Sequence, residues 1–163
     1  MSTQPTDSDF ITRTIELAEQ AGANGNRPFG AVLAAADGTV LAEGLNEVAS
    51  SGDVTAHAEL VAIRHATDAG HVDGILGSTM YASGEPCPMC AAACVWAGVT
   101  KIVYAASTAG FTRILSDGPH FTLSCADLIA TTDAHVDVVG PTCEEGALIA
   151  MYRAAHEVEP DRR

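Results

Sequence analysis

The sequence predicts a three-layer α/β/α sandwich with a five-stranded mixed sheet. Three observations lead there. Short apolar runs of strand length alternate with longer stretches whose apolar residues recur at helical spacing. Asp37-Gly38, between two of those runs, favours a tight hairpin and so an antiparallel first pair. The later strand–helix–strand units favour parallel pairing through right-handed crossovers. With 163 residues, 47% of them hydrophobic, the chain suits one domain over 1–163 with its own core.

Thr6 and Asp9 form a capping box for a helix over 9–23, in which Ile11, Ile15 and Ala18 share a face. Gly22, Gly25 and Pro28 end it. The hairpin strands are 29–36 and 39–48. A second helix, 56–69, is entered through Asp53 and Thr55 and stops near Gly70. A short strand at 79–82 precedes a third helix over 86–97, with proline near its start, where a missing N–H costs nothing. A buried strand over 101–105 opens into a loop over 106–122. Ser124 and Asp127 cap a short helix to Ala130, and 135–139 is the last strand. Thr142 and Glu145 cap a final helix that reaches about His156.

Charge narrows the partners. There are 21 acidic and 8 basic side chains, a net charge of −13. Such a chain is poorly equipped to neutralise a run of phosphates or to lie on an anionic membrane. A small molecule or another protein remains. The first ten residues lack the apolar centre of a secretory signal, and no apolar run reaches membrane-spanning length. The five cysteines are odd in number, and Cys87, Cys90 and Cys94 crowd together, unlike a disulfide framework. Reduced thiols in the cytoplasm are expected.

Two motifs carry chemistry. His57-Ala58-Glu59 opens the second helix, and Pro86-Cys87-Pro88-Met89-Cys90 opens the third. Each comes after a strand or loop at one sheet edge, where ligands bind in such folds. Cys-x-x-Cys alone also fits a redox pair, but that reading leaves His57 and Glu59 unexplained. A structural zinc needs four protein ligands, whereas His57, Cys87 and Cys90 make three. Cys94 lies about 10 Å further along the helix axis, at or beyond reach. It reads as a buried small residue, as do Cys125 and Cys143. Three ligands and one open position describe a catalytic zinc, whose bound water ionises near neutral pH. Glu59 alone would read as an ordinary first-turn carboxylate. Beside His57 it reads as the proton shuttle.

His-x-Glu followed by Pro-Cys-x-x-Cys is the signature of zinc nucleobase deaminases, and the sequence resembles that superfamily. The resemblance runs through Arg27-Pro28-Phe29-Gly30-Ala31-Val32, Ala42-Glu43-Gly44-Leu45-Asn46, Thr55-Ala56-His57-Ala58-Glu59 and Glu85-Pro86-Cys87-Pro88-Met89-Cys90 to Trp96. It looks most like the branch acting on free bases, which includes bacterial guanine deaminases. The resemblance implies a cytidine deaminase-like fold, zinc on His57, Cys87 and Cys90, Glu59 as general acid/base, and a homodimer or larger oligomer. It implies hydrolytic deamination of a heterocycle, with the backbone N–H groups of Ala58 and Cys87 helping at the reacting centre.

For the substrate, Asn46 matches the base-reading asparagine of that family, and Phe29 and Trp96 match positions that shape its pocket. Members of the guanine type carry an acid after a Gly-Phe pair. Here Gly110-Phe111 is followed by Thr112-Arg113, and Asp117 is the nearest acid. Guanine, cytosine, a pterin and an aminotriazine all suit the chemistry. The alternative is a tRNA adenosine deaminase. The net charge opposes it, although Arg153, Arg162 and Arg163 gather near the C-terminus. His120, in the loop, is within reach of the pocket.

Overall fold

The computed structural model describes residues 3–156. In chain order the elements are α1 (Asp7–Ala23), β1 (Gly30–Ala34), β2 (Val40–Leu45), α2 (Val48–Ser51), α3 (Ala58–Asp68), α4 (Val72–Ile75), β3 (Thr79–Gly84), α5 (Pro88–Ala97), β4 (Lys101–Ala106), α6 (Thr108–Phe111), α7 (Cys125–Ala130), β5 (Asp137–Val139) and α8 (Glu144–His156). The predicted alternation is all present, with three added single turns, α2, α4 and α6.

The sheet has five strands in the order β2-β1-β3-β4-β5. β1 is antiparallel to both β2 and β3, while β3–β4 and β4–β5 are parallel. The mixed sheet is as expected. β2 and β3 therefore run the same way with β1 between them, and the α3 crossover passes over β1. The hairpin closes through Gly38 N donating to Ala35 O at 2.9 Å, with Gly38 at φ +86. That positive φ is why glycine comes after Asp37.

Side chains alternate across the sheet with period two, as a strand buried on both faces requires. Ala31, Leu33, Met80 and Ile102 enter a core that includes Ala58 and Ala62 of α3, Cys94 of α5 and Ile129 of α7. Val32, Ala34, Tyr81 and Val103 enter the other, against Phe10 and Leu17 of α1 and Met151 of α8. These are the three layers. Thr6 caps α1 in a complete capping box with Asp9, and the helix begins at Asp7, a little ahead of the expected start.

Four expectations change. Thr142 does not cap the last helix, because its hydroxyl donates to Tyr104 O at 3.1 Å. Cys143 is exposed, not buried, while Cys94 and Cys125 are buried as expected. The hairpin strands are shorter, since Phe29, Ala35 and Asn46 already serve loops. Proline occupies the first turn of α5 as Pro88, behind Cys87 as N-cap, so the helix starts after Pro86. Arg162 and Arg163 lie outside the described residues.

Gly44 sets how closely α3 approaches the sheet. A Cβ there would sit 2.7 Å from Ala62 N and collide with Ala58 O. With only hydrogen at this position, the backbone of α3 seats directly on β2.

Candidate active site

β2 and β3 point the same way, so their carboxyl ends share one edge of the sheet, and the chain leaves that edge towards α3 and α5. His57 is the N-cap of α3 and Cys87 the N-cap of α5, both with extended backbone and neither making a side-chain cap hydrogen bond. Their side chains meet instead. His57 Nδ1 lies 3.6 Å from Cys87 Sγ and 3.6 Å from Cys90 Sγ. The three ligand atoms all fall within 4.8 Å of one another, the one such His/Cys/Asp/Glu cluster among the described residues.

That spacing fits zinc. Zn–N bonds of about 2.0–2.1 Å and Zn–S bonds near 2.3 Å at a tetrahedral angle put nitrogen and sulfur about 3.5–3.6 Å apart. A borderline-soft imidazole and thiolate set also suits this metal. Cys94, fully buried in the apolar core, is not in the cluster, and burial pushes its thiol well up.

The electrostatics prepare the thiols. A hydrogen bond from Cys90 brings the Cys87 thiol down to about 4, against burial and with help from His57. Cys90 is pushed well above its ordinary value by donating to Cys87 and by burial. The bond to Cys87 raises His57. Cys87 thus favours its thiolate and Cys90 its thiol, and a cation held among the three side chains would displace the remaining proton.

Glu59 sits in the first turn of α3, 7% exposed. Burial, and then the negative charge of Cys87, raise its carboxyl above the ordinary range. A carboxyl raised above its ordinary range beside a metal-ligand cluster is suited to taking and returning a proton.

The other predicted residues divide. Asn46, just past β2, is 3% exposed. Its N–H donates to Phe29 O at 3.0 Å and its Oδ1 accepts from Val48 N at 3.2 Å. Its oxygen thus serves a local turn. Phe29 stacks edge-on against Phe111, ring centroids 5.1 Å apart, and a Cβ on Gly84 would strike both rings. Ala58 is buried as the first residue of α3. Trp96 is not brought to the site: it stands 89% exposed on the last turn of α5. Asp117 is also not directed there, being 90% exposed and paired with Arg27 at 3.3 Å. His120 is exposed, with Nε2 3.3 Å from Ser116 O.

Two residues that stand in the quoted motifs received no role from the sequence. Arg27 ties the approach to β1 onto Leu115 O, at 3.3 Å, and onto Asp117. Glu85 is an acid buried at the end of β3. An acid closing an apolar strand directly before Pro-Cys was the available signal.

Known proteins agree with this geometry. A family model described as the cytidine and deoxycytidylate deaminase zinc-binding region matches residues 4–106. Guanine deaminase of Bacillus subtilis is 44% identical over 98 residues, covering 60% of this chain and 62% of that protein. The chain thus spans under two thirds of that relative. A probable cytosine deaminase of Schizosaccharomyces pombe is 28% identical over 153 residues, 91% of this chain and 93% of that one. A tRNA-specific adenosine deaminase of Haemophilus influenzae is 37% identical over 101 residues, 62% of this chain and 58% of that one. Among solved structures, NE0047 in complex with 2,6-diaminopurine superposes with a TM-score of 0.79 at 25% identity, covering 97% of this chain and 85% of that one.

Proposed function

This chain belongs to the cytidine and deoxycytidylate deaminase zinc-binding family, and from that premise we propose that it hydrolyses the amino group from a free nucleobase or related amino-heterocycle. Water replaces the amine on the ring carbon, a carbonyl remains and ammonia leaves. The observation that carries the reading is Glu59, a buried carboxyl two residues after His57, raised by burial and by the Cys87 charge of the His57, Cys87 and Cys90 cluster.

His57, Cys87 and Cys90 would hold the zinc. When bound, zinc supplies a Lewis acid that makes water nucleophilic near neutral pH. Glu59 takes the proton that water gives up and delivers it to the ring nitrogen beside the reacting carbon. It then moves a second proton to the departing amine. The N–H groups of Ala58 and Cys87, at helix starts and without intrahelical acceptors, donate to polar atoms of the substrate. The Asn46 amide group reads the heterocycle edge, and Phe29 forms a wall of the pocket.

Relatives named for guanine and cytosine favour a free base. The relative named for tRNA favours the alternative, against which the net charge of −13 stands. An ammonia-release screen separates them, with guanine, cytosine, their nucleosides, a pterin, a triazine and an anticodon stem-loop as substrates. Turnover of a free base is expected. Turnover of the RNA alone overturns the reading.

The same reading makes the enzyme a homodimer of single-domain subunits. Met89, Ala92, Ala93 and Trp96 fall on one face of α5, none of them buried, in a helix without a charged residue. A helix apolar all round calls for cover. Among the described residues no helix is long and apolar enough to cross a membrane. The thiol ligands need reducing surroundings, and we assign the enzyme to the cytoplasm.

A further inference from the structure

We propose that Glu85 is a positioning residue for the substrate side of the site, clamping both ends of the segment over 108–124. This rests on the deaminase reading.

Glu85 stands where the chain leaves β3, just ahead of Cys87. Its own N–H donates to Ala106 O at 2.7 Å, which fixes it against the end of β4. Its side chain is buried, and both carboxylate oxygens are used. Oε2 accepts from Thr108 N at 2.9 Å, and Oε1 accepts from Cys125 N at 2.9 Å. Thr108 and Cys125 are the first residues of α6 and α7. The first N–H of each has no acceptor within its own helix, and a carboxylate oxygen satisfies it. Ser107 and Ser124 cap the same helices through Gly110 N and Asp127 N. Glu85 takes one further N–H from each helix start.

No ion pair to Glu85 forms among the described residues, so these two charge-assisted bonds offset its burial. They close a loop. The segment leaves the sheet at one of them and returns at the other. Between them it carries Phe111 onto Phe29 and meets Arg27 at Leu115 and Asp117. A cavity of about 290 Å³ beneath it is lined by Glu85, Thr108, Thr112, His120 and Phe121. Glu85 therefore couples the Cys87 turn to Phe111 and, through it, to Phe29, which the deaminase reading makes a wall of the substrate pocket.

The test uses zinc-loaded full-length protein with Glu85→Gln and Glu85→Ala. Gln keeps one acceptor and Ala keeps none. KM for guanine or cytosine, whichever the wild type deaminates, is expected to rise about tenfold in Glu85→Gln and further in Glu85→Ala. kcat should stay within about threefold, because the lost interaction serves binding. Zinc per chain should not change. Amide hydrogen exchange should quicken over 108–124 and not in β1 or α1. An unchanged KM in Glu85→Ala overturns the proposal. So does a fall in kcat at constant KM, or exchange quickened evenly across the sheet. If Glu85→Ala aggregates, Glu85→Gln decides by the same readings. If the wild type releases ammonia from none of the free heterocycles in the screen, the deaminase reading fails on that result, and the exchange pattern still decides whether Glu85 clamps the segment.

Discussion

α1, α6 and α7 begin on Thr6, Ser107 and Ser124, whose hydroxyls accept backbone N–H groups, whereas α3 and α5 begin on His57 and Cys87, whose side chains cap nothing. All five residues occupy the same position with extended backbone. The difference lies in where the side chain is directed. In the first group it serves the helix, at about 1 kcal/mol each. In the second it is withheld from the helix and given to the ligand cluster. The two helix starts that support chemistry thus forgo local stability that the other three keep.

Glu59→Gln sharpens this contrast most. Glu59 lies in a first turn, where a carboxylate ordinarily favours the helix, yet its buried acid is assigned to proton transfer. We expect kcat to fall by roughly 10²–10⁴ or more with zinc retained. Steady-state kinetics beside metal analysis measures it, and activity near wild type would remove Glu59 from the mechanism.

Cys87→Ser tests the contrast directly, because it installs a capping hydroxyl at the start of α5. Zinc should be lost and activity with it. The metal-free variant should then be more stable than metal-free wild type by about 1 kcal/mol, or roughly 2–4 °C in melting temperature. Melts in chelator give the answer, and equal stabilities would mean that Cys87 forgoes nothing.

Ser124→Ala is the counterpart at a self-capped start. It loses the bond from Asp127 N at 3.0 Å. A loss of about 1 kcal/mol in denaturant unfolding is expected, with zinc content unchanged. Weaker zinc binding in this variant would blur the division between the two kinds of start.

The smallest effect is expected at the start of α1. Hydrogen bonds from Lys101 and then Tyr81, each 2.6 Å long, hold the Asp7 carboxyl below its ordinary value. A depressed carboxyl stabilises the fold above its unfolded value of about 3.9, and that contribution is lost as pH falls through the lowered one. Being half exposed, the group is worth less than about 1 kcal/mol. Denaturation of wild type and Asp7→Asn should differ at neutral pH and converge in acid. A constant difference across the range would contradict the assignment.

Much of this was legible in the sequence because its signals are local. The Thr6/Asp9 box, the Asp37-Gly38 turn and the Ser124/Asp127 cap each need only neighbours, and each is present. The cluster of His57, Glu59, Cys87 and Cys90 was legible because each half is a contiguous motif at a helix start. The single turns α2, α4 and α6 were not, since four residues are too few to show a period. They form where loop hydrogen bonds fix them, as Ser51 Oγ does on Glu47 O at 2.7 Å. Thr142 failed as a cap because a distant carbonyl, Tyr104 O, claims its hydroxyl. Trp96 and Asp117 were placed by motif position, but which way a helix face or loop points is decided by packing. Glu85 was visible in its motif but its task was not, as its partners lie 23 and 40 residues away.

The seat of α3 on β2 has a wider consequence. Because Gly44 faces Ala58 and Ala62 backbone with no room for a methyl group, the strand surface and the helix start behave as one rigid part. A substitution there acts as a lever, tipping the start of α3 and carrying His57 and Glu59 away from Cys87 and Cys90 together. Position 44 touches neither metal nor substrate, yet its tolerance to change should match that of the ligands and not that of its neighbours in the strand. A map of permitted residues along this chain would therefore show an active-site constraint at the open end of a hairpin.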